Sequence, residues 1–161
     1  MIQQNTGNGL DQTWSAYKYG FNDATGGYWI GNENLYRLTN NGITCGLCID
    51  LLNTGGGILR VSYTSFVVGK ETDGYNYTAS GFSGTTKDTF GKSNSFYKFS
   101  AKNQNNQPGC TNYATTLKGG WWYPCNDTQT VLNGIGSTGL VWAATPSNQF
   151  LKESYMWIHC P

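Results

Sequence analysis

The residues able to carry out chemistry are few and scattered: one histidine, His159, and five cysteines, Cys45, Cys48, Cys110, Cys125 and Cys160. His159 lies in an alternating pattern near the carboxyl end, and no Ser-His-Asp or Cys-His arrangement can be traced around it. Asp50 and Asp88 have no acidic partner in a recognisable motif, and no Gly-Lys-Ser/Thr phosphate loop occurs. The sequence reads as that of a protein that is not an enzyme. Cys45-x-x-Cys48, taken with His159 and Cys160, imitates a zinc ligand set. Zinc would need all four on one side of a sheet, and nothing in the spacing brings them there. A structural disulfide from Cys160 to Cys45, to Cys48 or to a segment outside this chain is the preferred reading.

Two acceptor sequences for N-glycosylation, Asn76-Tyr77-Thr78 and Asn126-Asp127-Thr128, join the cysteines in pointing to an oxidising, secretory setting. The amino terminus, Met1-Ile2-Gln3-Gln4, has neither a basic nor an apolar leader region, so a missing upstream segment is expected. With 161 residues the chain is sized for one domain, taken as residues 1–161. Charged residues make up only 12%, and ten basic against nine acidic side chains leave a net charge of +1. That balance gives no electrostatic case for nucleic acid or an anionic membrane. No apolar run is long enough to span a bilayer as a helix. In place of charge stand 22 glycines and 15% aromatics, a composition of turns, short strands and aromatic packing.

The elements that must position these residues follow from periodicity. Trp14, Tyr17 and Phe21 recur at helical spacing behind Thr13, a fitting N-cap, so residues 13–21 read as a short helix. Residues 33–39, with Leu35 and Leu38 three apart, read as a second. From Leu47 the period becomes two: Leu47, Ile49 and Leu51, then Leu59, Val61 and Tyr63, mark strands joined by the turn Asn53-Thr54-Gly55-Gly56-Gly57. Beyond Val68 the chain turns irregular, and long ordered loops are expected over 79–95 and 101–120 because aromatics are embedded in and around them. Tyr155–Ile158 fits a last strand.

Four local patterns occur in the order of a fibrinogen carboxyl-terminal domain: Trp14-Ser15-Ala16-Tyr17-Lys18-Tyr19-Gly20-Phe21, Gly27-Tyr28-Trp29-Ile30-Gly31-Asn32-Glu33, Phe99-Ser100, and Gly119-Gly120-Trp121-Trp122-Tyr123 with Cys125. Ser83-Gly84-Thr85, Leu132-Asn133-Gly134 and Gly139-Leu140-Val141-Trp142 add to them. Together these resemble the fibrinogen-related family over essentially the whole chain. Ile2-Gln3-Gln4 is similar to the middle of a family segment, which implies that the small amino-terminal subdomain is absent. The resemblance implies an α+β fold, with a twisted, mainly antiparallel sheet, short helices and a loop-rich distal ligand-binding subdomain.

It also implies sites. Cys110 and Cys125 sit where the family closes a disulfide around its pocket. The family's calcium loop corresponds to Asn103-Gln104-Asn105-Asn106-Gln107, where amides replace every carboxylate. Amide oxygens can coordinate calcium but cannot offset its charge, so weak or absent binding is expected, with Asn103, Asn105 and Gln107 at the metal positions. Members resembling ficolins and tachylectins bind acetyl groups beside this loop. By that likeness the ligand-binding candidates are Tyr113, Tyr123, Asn126, which stands in place of a histidine, and Asn148, in place of a tryptophan. Gly136 and Ser137 align with a further pocket pair. Trp121, Trp122 and Trp142 are expected in the core. The implied function is a secreted, lectin-like recognition module for carbohydrate or acetylated groups, consistent with innate immunity. The alternative is a protein-binding domain like those of angiopoietins and tenascins. Oligomers would form through absent upstream segments, and Asn76 and Asn126 would carry glycans.

Overall fold

The computed structural model describes residues 1–91, 97–125, 128–146 and 149–161. Its frame is a seven-stranded sheet built from β1 (Gln3–Asn5), β2 (Phe21–Asn22), β3 (Tyr28–Trp29), β4 (Gly46–Asn53), β5 (Ile58–Val68), β6 (Tyr77–Gly84) and β9 (Leu151–His159). The order is β2-β3-β1-β9-β4-β5-β6, with neighbours antiparallel. The last strand thus lies between the first and the fourth, and the two ends of the chain meet at the middle of the sheet. A two-stranded sheet, β7 (Thr130–Val131) with β8 (Val141–Trp142), belongs to the distal region.

Helix α1 (Trp14–Tyr19) starts where Thr13 accepts a hydrogen bond from the Ala16 amide, 3.3 Å, and stops at Gly20. It is shorter than the predicted 13–21 because Phe21 leaves it to pair with Trp29 in β2–β3. Helix α2 (Asn32–Thr39) agrees with the predicted 33–39 to within a residue. Two single-turn helices, α3 (Tyr113–Thr116) and α4 (Gly136–Gly139), and a 3₁₀ turn over Glu71–Asp73 are also present.

The alternating segments form β4 and β5, with Leu47, Ile49, Leu51, Val61 and Tyr63 all turned to the core. One element differs from the sequence reading: residues 77–84, expected to be largely irregular, form the full strand β6. Its pattern, Tyr77-Thr78-Ala79-Ser80-Gly81-Phe82-Ser83-Gly84, breaks at Gly81: Tyr77 and Ala79 are buried before it and Phe82 is half-buried after it. The register with β5 is the same on both sides of Gly81, Tyr63↔Phe82 and Ser65↔Ser80, so the strand is interrupted there without a slip. Gly81 lies at φ +70° with no room for a Cβ beside Thr64, so the break in the pattern falls on a glycine.

One core joins sheet and loops. Tyr17, Trp29, Phe66, Tyr77, Phe90, Phe99, Trp121 and Trp122 are buried and in mutual ring contact, with Phe90 stacked on Tyr77 at 4.3 Å between centroids. Trp121, Trp122 and Trp142, each at most 2% exposed, are core side chains, as expected. Among the described residues no helix is long and apolar enough to cross a membrane.

Candidate functional site

The distal loops are fastened to the sheet by a buried polar network. Gln3 on β1 donates through Nε2 to the Leu132 carbonyl (2.9 Å), Asn133 Oδ1 (3.0 Å) and Ser154 Oγ on β9 (2.8 Å). Asn5 donates to the carbonyls of Leu132 and Gly134, at 3.0 and 2.8 Å. Asn133 Nδ2 reaches the Gly120 carbonyl at 2.8 Å, and the Gly120 amide donates to the Tyr17 hydroxyl at 2.9 Å. These side chains are at most 1% exposed, so each bond replaces water that the group has lost. Burial holds the Tyr17 hydroxyl well above the ordinary tyrosine range, although the Gly120 amide donates to it. A Cβ on Gly119 would collide with the Asn133 carbonyl, so the glycine lets the two loops touch.

On this base stands the disulfide Cys110–Cys125, with Cα atoms 5.3 Å apart. Between its ends runs α3, whose N-cap Asn112 accepts from the Ala114 amide at 3.2 Å. Tyr113, half-buried on α3, lies 5.8 Å from the Tyr123 ring. Tyr123 is buried and its hydroxyl donates to the Gly119 carbonyl at 2.5 Å; burial pushes its ionisation well upward. Of the two tyrosines assigned to ligand, then, Tyr113 is the accessible one and Tyr123 is the floor beneath it. Asn126 and Asn148 lie outside the described residues.

The amide-rich loop before Cys110 closes on itself. Ala101 and Gln104 exchange backbone hydrogen bonds of 3.0 Å. Asn103 Oδ1 accepts from the Trp14 amide at the start of α1 (2.8 Å), and Asn105 bonds both the Gln107 amide and the Cys110 carbonyl, at 3.0 Å each. Gln107 meets the loop through its backbone: its carbonyl accepts from the Cys110 amide at 3.1 Å. Among the described residues no group of three or more His, Cys, Asp or Glu side chains could hold a metal ion.

A cleft that no single motif announced opens between α4, β8 and the start of β9. Its inner part, about 210 Å³, is lined by Leu140, Trp142, Pro146, Gln149 and Phe150 among others. It adjoins a second hollow of about 420 Å³ through Ser137, Leu140, Phe150 and Leu151. Phe150 is 56% exposed and Ile135, next to α4, is 45% exposed. Thr145 Oγ1, in the wall, is buried with no hydrogen-bond partner among the described residues. Ser137 was a sequence candidate here. The rest share no local pattern and meet only where α4 packs on β9 beside β8.

The other cysteines resolve clearly. Cys45 bridges Cys160, tying the start of β4 to the end of β9, and Cys48 is a free, exposed thiol. Asn76, half-buried, stands immediately before β6, and Thr78 of the same acceptor sequence is exposed.

A mainly antiparallel sheet carrying disulfide-framed distal loops is the architecture of a fibrinogen-like domain. Comparison with known proteins agrees. The family described as fibrinogen beta and gamma chains, C-terminal globular domain, matches residues 2–159, and the chain belongs to it. Ryncolin-4 of Cerberus rynchops is 34% identical over 128 residues, 78% of this chain and 36% of that protein. Angiopoietin-related protein 7 of Mus musculus is 34% identical over 125 residues, 77% of this chain and 36% of that protein. The chain therefore spans little more than a third of these relatives' length. The fibrinogen-like globe domain of human ANGPTL6 superposes with a TM-score of 0.85 at 29% identity, covering 98% of this chain and 76% of that one. Lamprey fibrin D-dimer, solved with the peptide Gly-His-Arg-Pro-amide, shares the fold at a TM-score of 0.81 and 23% identity, covering 99% of this chain and 60% of that one.

Proposed function

We propose that this chain is the ligand-recognising domain of a secreted protein, without catalytic activity, and that it binds through the distal cleft. The observation carrying this reading is the composition of the cleft. Leu140, Trp142, Pro146 and Phe150 line it, and the Thr145 hydroxyl, buried without a partner among the described residues, sits in its wall. A few polar atoms fixing orientation within an apolar concavity is the usual make-up of a binding site. An uncharged ligand bearing an apolar group suits it. An extracellular protein segment inserting such a side chain beside Phe150 is the reading the exposed rim supports best. The second reading, a lectin for acetylated sugars, draws on Tyr113, whose half-buried ring beside the Cys110–Cys125 bridge could pack an acetyl methyl. Secretion with a glycan on Asn76 belongs with either reading.

The test is retention of the secreted, oxidised protein on acetylated and unacetylated sugar matrices, alongside a screen against extracellular protein ectodomains, each repeated with Phe150→Ser. Loss of ectodomain binding in Phe150→Ser with an unchanged melting temperature supports the cleft and the protein reading. Acetyl-selective retention that survives Phe150→Ser moves the site to Tyr113. Ectodomain binding indifferent to Phe150 removes the cleft from the account.

A further inference from the structure

The family resemblance implies a calcium ion in the loop before Cys110, and the residues present do not fit one. A calcium site supplies oxygen lone pairs and negative charge. Here the loop carbonyls already receive hydrogen. Asn106 Nδ2 donates to the Phe99 carbonyl at 2.6 Å, Asn105 Nδ2 to that of Cys110 at 3.0 Å, and Asn112 Nδ2 to that of Ala101 at 3.1 Å. The amide oxygens are engaged as well: Asn103 Oδ1 with the Trp14 amide, Asn105 Oδ1 with the Gln107 amide, Asn112 Oδ1 with the Ala114 amide. The charge is wrong too. Lys102 points its ammonium at the Asp11 carbonyl, 3.0 Å away, and lies 3.7 Å from the Asp11 carboxylate.

We infer that this loop is cation-independent: at the metal positions the side-chain oxygens of Asn103 and Asn105 and the Gln107 carbonyl already accept backbone N–H groups, and the N–H groups of Asn105, Asn106 and Asn112 brace the surrounding carbonyls, so the amides hold the loop in the metal's stead. An amide hydrogen polarises a carbonyl as a cation does, more weakly but without needing compensating charge. The consequence is regulatory. Asn103 ties the loop to α1, and Asn112 ties it to α3 inside the Cys110–Cys125 bridge, so the distal surface keeps its shape whatever the free calcium concentration. The inference concerns the loop and stands apart from which ligand the cleft takes.

Thermal unfolding of the secreted, oxidised protein in millimolar calcium and in chelator tests it, without reference to ligand binding. The expected melting temperatures coincide within 1 °C or so, as mass action requires when nothing binds the folded state. Two variants separate amide from vacant metal site. Asn103→Asp keeps its acceptor and should leave the chelated melting temperature unchanged. Asn105→Asp loses the donor to Cys110 and should lower it by about 2–4 °C, the worth of one hydrogen bond in a domain of this size. A saturable rise of the native protein's melting temperature with calcium overturns the inference, as does an Asn105→Asp variant at least as stable as the native chain in chelator.

Discussion

Asn133→Ala should destabilise the domain by loosening the distal loops from the sheet. Asn133 is fully buried; it donates 2.8 Å to the Gly120 carbonyl and accepts 3.0 Å from Gln3. Alanine removes the donor to a carbonyl with no access to water, at a cost of about 1–3 kcal/mol. It also leaves a void that closely approaching loops at Gly119 and Gly134 cannot readily fill, adding about 1 kcal/mol. Gln3 Nε2 still reaches Leu132 and Ser154, so its loss is small. The total, about 2–4 kcal/mol, is a large share of the roughly 5–15 kcal/mol that holds an ordinary domain together. It corresponds to a fall in melting temperature of about 5–15 °C at this chain length. Scanning calorimetry of the secreted, oxidised protein at neutral pH reads it. Asn34→Ala, which removes an exposed bond to the Ile30 carbonyl on α2, is the control and should shift stability by no more than about 0.5 kcal/mol. If Asn133→Ala melts within 2 °C or so of the native protein, the network is not what fastens the distal loops.

Three further outcomes follow from the same geometry. Replacing Cys110 and Cys125 together by serine should lower stability by about 3 kcal/mol, the chain-entropy worth of a loop of 15 residues, read from denaturant midpoints and m-values together, with m rising as the unfolded chain loses its cross-link. The Glu71 carboxyl, hydrogen-bonded by Lys18 and then by the Trp14 indole, titrates below the ordinary glutamate range. Its stabilising effect is therefore full above that range and disappears as pH falls through the lowered value, so the gap in melting temperature between native protein and Glu71→Gln should close on acidification below about pH 4. A gap that persisted at pH 2 would contradict the pairing. Thiol titration of the native, oxidised protein should return one reactive group, Cys48, and Cys48→Ser should abolish it while leaving the melting temperature nearly unchanged.

Local chemistry was legible from the sequence alone. Thr13 ahead of Trp14 announces a cap, alternation over 47–52 announces a strand with one buried face, and the order of the aromatic and glycine motifs carries the family. The loss of carboxylates from 103–107 is likewise written in the sequence, since a neutral loop cannot offset a divalent charge. What only the tertiary structure decided depends on chain segments far apart. Strand β6 shows no clean alternation because its pattern breaks at Gly81, which lies at positive φ, and it exists through pairing with β5. The choice of Cys45 over Cys48 for Cys160 rests on which side chain meets the end of β9 beyond the Gly46↔His159 pair. Gln3, Asn5, Asn133 and Ser154 look like ordinary polar residues until two chain ends and a loop 130 positions away bury them together. The cleft belongs to the same class: Leu140, Thr145 and Phe150 carry no shared period, and their common surface is set by where α4 packs on β9. A sequence records the interactions of neighbours, whereas burial, which sets the worth of a polar or apolar side chain, is a property of the whole fold.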